Sequence, residues 1–376
     1  MSFDLHAFGN KVRRSREQVG LSVTEVASKT GIGQERLQGL ENGKIEPTGD
    51  EVLILADFFK QNYVYYISNQ KESSADQVDI LYRKFGTSFS KEDRWAIQEF
   101  IFLCECEQQV FEIIGFEKVG FNFVPKGDFF KAHGEEAARA LRIALNLKDD
   151  KMVPNPYSVF RRLGIHIFRR KLNNSKISGL FINHPWAGKC VLVNYNEDIF
   201  RQNFTLAHEI AHTIFDASEQ INISFEWNNK DLKEIRANSF ASHFLVPKSI
   251  LAKTDKFYWN SDRLIHLAQQ LGVNTDPLLI AIKNAGINVN TELFSNVKVP
   301  LTKKFDPELL GLTDFRYNLK LSLLERGLSE FYVTNLHRAY EKGEISAGRL
   351  ADCLLCDESN LQSIVEIFKL KLLYDN

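Results

Sequence analysis

Two histidines and a glutamate stand together in the segment FTLAHEIAH, with the spacing His-Glu-x-x-His from His208 to His212. Residues four apart lie on one face of an α-helix, so the two imidazoles can converge on a single metal ion. Glu209 projects about 100° round the helix from His208, too far to join them as a ligand. It can instead take a proton from a water at the metal. The motif therefore predicts a Zn²⁺ site with Glu209 as general base.

A zinc site with two histidines needs a third ligand. The downstream sequence offers these candidates: Asp216, Glu219, Asp231, Glu234 and His243. Asp216 shares the histidines' face but stands about 12 Å from His208 on a straight helix, too far for a shared ion. Glu234 is better placed, because it lies on a separate helix that can pack back against the first. Asn238, four residues later, can hydrogen-bond the free ring nitrogen of a ligand histidine.

The segments FTLAHEIAH and EIRANSFASHFLVP together resemble the ImmA/IrrE family of intracellular zinc metallopeptidases. The preceding runs KISGLFIN and KCVLVN resemble that family's small sheet, so the likeness covers residues 130–290. The resemblance implies His208, His212 and Glu234 as zinc ligands and Glu209 as the base. It also implies cleavage of a partner repressor as the activity.

Other interpretations of this segment stay open. The two histidines could be core residues of an amphipathic helix, or the zinc site could be occupied but catalytically idle. No residue is identified as the one that stabilises the tetrahedral oxyanion. His184, His243 and Tyr195 are candidates by residue type alone.

The N-terminal region is helical in pattern and carries a helix-turn-helix signature. Ser22 and Glu25 form a capping box at the start of the second helix, which a short turn joins to a third. Residues 12–67 resemble the XRE, or phage-repressor, type of DNA-binding domain, in which the third helix enters the major groove. Arg16 and Glu41 resemble the structural ion pair of that family.

The expected DNA contacts lie on the third helix and just after it: Gln34, Arg36, Gln38 and Lys44. Glutamine can read adenine and arginine can read guanine, whereas Lys44 would meet phosphates. Residues 1–46 contain seven Lys/Arg and six Asp/Glu, a net charge of +1, so the general attraction to DNA is weak. A protein-interaction module that keeps the fold without strong operator binding therefore stays open.

A second concentration of positive charge lies in FRRLGIHIFRRKLNNSKISG, which contains no acidic residue. Basic residues among phenylalanines suit single-stranded nucleic acid, through backbone attraction and base stacking. On that hypothesis Arg169, Arg170 and Lys171 would sense single-stranded DNA. The favoured interpretation is structural: a solvated helix end and a strand whose phenylalanines face the core.

The whole pattern predicts an α+β chain that is mostly helical. We expect a five-helix helix-turn-helix domain at 1–67, a linker and long connecting helix at 68–127, a zincin-like peptidase domain with a small antiparallel sheet at 128–295, and a helical C-terminal domain at 296–376. The peptidase region includes two further helix-turn-helix-like helices at 261–286.

Composition limits the class of protein. Apolar residues make up 44% and charged residues 25%, as in globular proteins. No apolar run approaches the roughly 20 residues that span a bilayer, and the N-terminus lacks the apolar region of a secretory signal. Five sparse cysteines favour reduced thiols and a cytoplasmic location. The net charge of −1 means that any DNA binding must be local.

These features predict a DNA-binding head joined to a zinc endopeptidase that cuts a repressor or other regulatory protein. Such cleavage would control stress-response, phage or mobile-element genes. One rival is a transcription factor whose inactive peptidase fold senses a ligand or nucleic acid. Another is a toxin-like or defence-associated protease. A homodimer is left open, and no membrane partner is expected.

Overall fold

A computed structural model describes most of the chain: residues 3–68, 89–153, 155–174, 176–216, 221–225 (backbone only), 231–254, 258–300 and 305–372. The predicted linker at 68–77 lies, apart from Ser68, outside the described residues. The chain divides into two compact units. The first holds Met1–Cys106, Leu172–Asn174 and His184–Trp186, and the second holds Glu107–Lys171, Ser175–Asn183 and Ala187–Asn376.

The first unit begins with the five expected helices, followed by part of a long sixth. They are α1 (Leu5–Gln18), α2 (Val23–Thr30), α3 (Gln34–Glu41), α4 (Gly49–Phe58), α5 (Tyr63–Ile67) and α6 (Lys91–Ile114). The predicted capping box between Ser22 and Glu25 is present at the start of α2. Arg16 donates to both carboxylate oxygens of Glu41, at 2.7 and 2.8 Å. This confirms the ion pair, which joins α1 to α3.

The elements that follow are four strands and eleven more described helices. They are α7 (Phe130–Ala144), α8 (Pro156–Arg161), β1 (His166–Arg170), β2 (Ile177–His184), β3 (Gly188–Asn194), α9 (Ile199–Phe215), β4 (Ile221–Phe225), α10 (Leu232–Leu245), α11 (Lys248–Ala252), α12 (Ser261–Leu271), α13 (Thr275–Asn284), α14 (Asp314–Glu325), α15 (Glu330–Glu341), α16 (Ala347–Cys353) and α17 (Glu358–Ile367). The mostly helical α+β class is therefore confirmed.

The strands form one sheet in the order β1-β3-β2-β4. β2 pairs with β4 in antiparallel fashion, but β1 runs parallel to β3, with His166 opposite Cys190. The prediction of an antiparallel sheet is wrong in this pairing, because the sheet is mixed. Three residues join β2 to β3, which requires opposite directions. β1 lies beside β3 rather than beside β2, its neighbour in sequence, and is therefore parallel to its partner.

Helix α9 is buried along most of its length, and it packs against β3 and α10. Asp198 begins the helix by accepting the backbone N–H groups of Phe200 and Arg201, at 3.0 and 2.8 Å. On the other side of α10, a Cβ added at Gly134 would lie only 2.5 Å from the Arg236 carbonyl oxygen. The backbones of α7 and α10 are thus in direct contact, which fixes α10 beside α9.

Among the helices of the described ranges, none is long and apolar enough to cross a membrane. The five cysteines, all in described parts of the chain, are free thiols.

Candidate metal centre

Three buried side chains from two helices converge: His208 and His212 on α9, and Glu234 on α10. The two histidine Nε2 atoms are 3.1 Å apart. The Glu234 carboxylate lies 3.1 Å from Nε2 of His208 and 3.5 Å from Nε2 of His212. Two ligands of a tetrahedral zinc ion, each at 2.0–2.1 Å from the metal, are about 3.3 Å apart. The spacing and chemistry of these donors therefore fit zinc.

The other ring nitrogen of each histidine is bound to a neighbouring side chain. Nδ1 of His208 donates to Oδ1 of Asn238 at 2.9 Å, and Nδ1 of His212 donates to Oδ2 of Asp216 at 2.8 Å. For a neutral imidazole, each bond favours the tautomer whose Nε2 lone pair faces the centre of the cluster. Asn238 lies where the sequence places it. Asp216, which the sequence excludes as a ligand, hydrogen-bonds His212 instead, a role that its four-residue spacing from His212 could have indicated.

The charges of the cluster favour a cation at its centre. Burial opposes a charged imidazole at His212, but hydrogen bonds with Asp216 and Glu234 outweigh it and raise the pKa of His212 to about 10. Burial also opposes the charge of Glu234, yet its bonds with His208 and His212 lower its pKa to about 2. The surroundings thus stabilise a positive charge among these groups, as a metal site must.

Glu209 is fully buried on the adjacent face of α9, against the backbone of β2. A Cβ at Gly179 would lie 2.9 Å from Oε1 of Glu209 and 3.0 Å from its Cγ, so any larger residue there would crowd this side chain. The negative charge of Glu209 contributes to the raised pKa of His212. Sequence reasoning missed Gly179, although an isolated glycine in a strand pattern indicates close backbone approach.

The three oxyanion candidates bind other side chains. Their partners are Glu105 for His184, Asp306 for Tyr195 and Glu135 for His243. Among the alternatives for the third ligand, Glu219 lies outside the described residues. In the described part of the chain, His208, His212 and Glu234 form the group that could hold a metal ion, and the charge of Glu209 acts on His212.

The expected DNA contacts are distributed over α3 and the turn after it. Gln34, Gln38 and Lys44 are exposed. Arg36 differs, because Nε and Nη2 of its guanidinium both donate to the carboxylate of Glu51 on α4. Its guanidinium thus holds α3 against α4.

The basic segment that includes β1 is bound to the C-terminal region. Arg169 and Arg170 are buried, whereas Lys171 is half exposed. The partners are Asp306 and Glu308 for Arg169, the carbonyl oxygen of Arg326 for Arg170, and Glu325 for Lys171. This placement favours the structural interpretation of the segment, because nucleic acid cannot reach Arg169 or Arg170 while these bonds exist.

Comparison with known families agrees with this arrangement. Residues 160–283 match the model of the IrrE N-terminal-like domain, peptidase family M78, and residues 12–66 match a helix-turn-helix model. The search of curated proteins finds no match. The metal cluster and the packed α9–α10 pair both lie within the first matched segment. The chain therefore joins a helix-turn-helix domain to a peptidase domain of the IrrE N-terminal-like type.

Proposed function

We propose that this chain is a DNA-binding regulator with zinc-dependent endopeptidase activity, and that its substrate is a repressor or another regulatory protein. The observation that supports this most strongly is the convergence of His208, His212 and Glu234 beside Glu209. The cluster lies in a segment that matches a peptidase family, and a DNA-binding type of fold precedes it.

In this proposal His208, His212 and Glu234 would hold Zn²⁺ as its protein ligands. When bound, zinc polarises the scissile carbonyl and lowers the pKa of water. Glu209 takes the proton of the attacking water on its carboxylate and passes it to the leaving amine. Asn238 and Asp216 keep the two imidazoles oriented, so the site needs little rearrangement during the reaction.

For DNA recognition we assign the reading of base edges to Gln34 and Gln38, and phosphate contact to Lys44. Both glutamines are exposed on α3, as base reading requires, and the amide oxygen of Gln34 accepts a hydrogen bond from the Thr24 hydroxyl at 3.3 Å. We assign Arg36 a structural role, because its guanidinium is bound to Glu51.

The test compares wild type with Glu209→Gln in the full-length protein, and Glu136→Gln on the exposed face of α7 serves as control. We expect all three proteins to contain zinc by metal analysis. Wild type and Glu136→Gln should cut a repressor encoded by a neighbouring gene, as followed by mass spectrometry. Glu209→Gln should be slower by about 10²–10⁴-fold, the usual contribution of a general base.

Two results would contradict the proposal. Wild-type protein that binds no zinc would remove the metal site. A Glu209→Gln variant that keeps the regulatory output unchanged would show that cleavage is not the mechanism, and would support the non-catalytic sensor.

A further inference from the structure

The carboxylate that supports His212 is itself bound by an arginine. Nη2 of Arg236 lies 2.6 Å from Oδ1 of Asp216, while Oδ2 of Asp216 accepts the hydrogen bond from Nδ1 of His212. Arg236 and Asp216 are both buried. Arg236 lies on α10 two residues after Glu234, so this helix provides both a metal donor and the support of another donor.

Two aromatic rings enclose the guanidinium of Arg236. Its central carbon lies 4.3 Å from the ring centroid of Phe215, at the end of α9, and 5.2 Å from that of Phe130, at the start of α7. Phe123 packs edge-on against Phe215, with ring centroids 5.8 Å apart. A buried guanidinium between aromatic faces is held by cation–π attraction and by shape. Side chains from three helices therefore fix one aspartate.

We propose that Arg236 is a positioning residue for the metal centre and acts on His212 through Asp216. The inference rests on the proposed zinc site. An unrestrained aspartate can rotate its carboxylate away from the imidazole, whereas Arg236 holds one oxygen so that the other faces Nδ1 of His212. The imidazole then keeps Nε2 directed at the metal. Phe130 contributes in turn by holding the guanidinium.

We call the contacts from Phe130 to Arg236, Asp216 and His212 the relay. It predicts a graded loss of zinc affinity in the full-length protein, measured by competition with a chromophoric chelator. Asp216→Asn should bind zinc about 10–100-fold more weakly, the usual cost of losing such a partner. Arg236→Gln should lose about 10-fold and Phe130→Leu less than Arg236→Gln. Because Arg236 acts through Asp216, the double variant Asp216→Asn/Arg236→Gln should bind no more weakly than Asp216→Asn alone.

The matched control is Arg201→Gln, which removes an arginine–carboxylate pair with Glu197 near the start of α9, 2.8 Å between Nε and Oε1. Its zinc affinity should equal that of wild type. Unchanged affinity in Arg236→Gln, with zinc bound normally by wild type, overturns the inference and leaves the proposed function intact. Wild-type protein without zinc overturns the proposed function instead.

A second readout covers the case in which Arg236→Gln does not fold. Arg236→Lys keeps the positive charge but loses the planar contact with both rings. With Co²⁺ in place of zinc, this variant should show a shifted visible absorption spectrum, because the orientation of one imidazole changes. An unchanged spectrum and unchanged Co²⁺ affinity would count against the relay.

Discussion

The candidate metal centre and the proposed DNA-reading surface, which consists of Gln34, Gln38 and Lys44, differ in how their side chains are held. At the metal centre, both histidines are bound on their second nitrogen, and the supporting Asp216 is bound in turn by Arg236. On the reading surface, Gln38 and Lys44 are exposed. The positions of the proposed metal donors therefore follow from their contacts with other side chains, whereas those of the proposed DNA contacts follow mainly from the backbone of α3.

This difference predicts how each region responds to substitution. A cluster of side chains that hydrogen-bond one another loses its function when one member is removed, because the remaining side chains depend on that member for their positions. An exposed surface loses binding in small steps, since each contact contributes separately.

The largest effect is expected at a metal donor. Glu234→Gln removes the only carboxylate among the three donors, and zinc affinity should fall on the order of 1000-fold, more than the roughly 10–100-fold cost of an outer partner. Chelator competition measures this loss, with Arg201→Gln as the folded control. A variant that retains wild-type affinity would mean that Glu234 is not a donor.

In the basic segment around β1, the stability contributions of a buried and an exposed cation can be compared. Arg169 is buried against Asp306 and Glu308, whereas Lys171 is 47% exposed beside Glu325. Arg169→Gln should lower the free energy of unfolding by about 3–5 kcal/mol, because it removes the cation that neutralises the buried carboxylate of Asp306 and the partly buried carboxylate of Glu308. Lys171→Gln should change it by about 1 kcal/mol or less. Urea denaturation measures the free energy of unfolding of both variants. Equal effects would contradict the distinction between the buried, paired cation and the exposed one.

The close contact between Glu209 and β2 predicts a smaller loss of stability and of cleavage rate when Gly179 is replaced. In Gly179→Ala the new Cβ would lie 2.8 Å from Cγ2 of Thr205 and 2.9 Å from Oε1 of Glu209. The crowding should cost about 1–3 kcal/mol of stability and slow peptide cleavage, while zinc stays bound. Gly120→Ala is the control, because nothing lies within 4 Å of its Cβ position. Full activity in Gly179→Ala would show that the position of Glu209 is not critical.

The smallest effects are expected on the reading surface. Gln38→Ala should weaken binding to an operator by about 1–3 kcal/mol and relax the base preference at one position. Lys44→Ala should weaken binding to all sequences and reduce the dependence on salt. Arg36→Ala should instead lower thermal stability, because it breaks the bond between α3 and α4. Fluorescence anisotropy at several salt concentrations separates these outcomes; equal base-specific losses in all three variants would contradict them.

The sequence predicts those parts of the site that depend on one helix or on a family motif. The four-residue period of α9 places His208 and His212 together, and the motif around Glu234 indicates the second helix. The distances between side chains on separate helices and strands are harder to predict from the sequence. The approach of Gly179 to Glu209 and the enclosure of Arg236 depend on how strands and helices pack, which local periodicity does not specify.

The packing of separate elements also explains why two predictions differ from the structure, one about the sheet and one about the DNA contacts. β1 pairs with β3 rather than with β2, its neighbour in sequence, and is parallel to it; strand pattern alone does not reveal this strand order. Arg36 has the residue type and helix position of a DNA contact, but Glu51 from α4 binds it. Residue type indicates what a side chain can do, and its neighbours decide which of those interactions it makes.

The contacts of the Asp306 carboxylate affect where the chain can be shortened for protein production. It accepts hydrogen bonds from Arg169 on β1 and from Tyr195 just before α9, although the family match ends at residue 283. A fragment cut at the end of that match would expose a buried arginine and a buried tyrosine. A fragment designed to contain the peptidase-like domain should therefore keep the chain through α17, and limited proteolysis of the intact protein should leave this region attached.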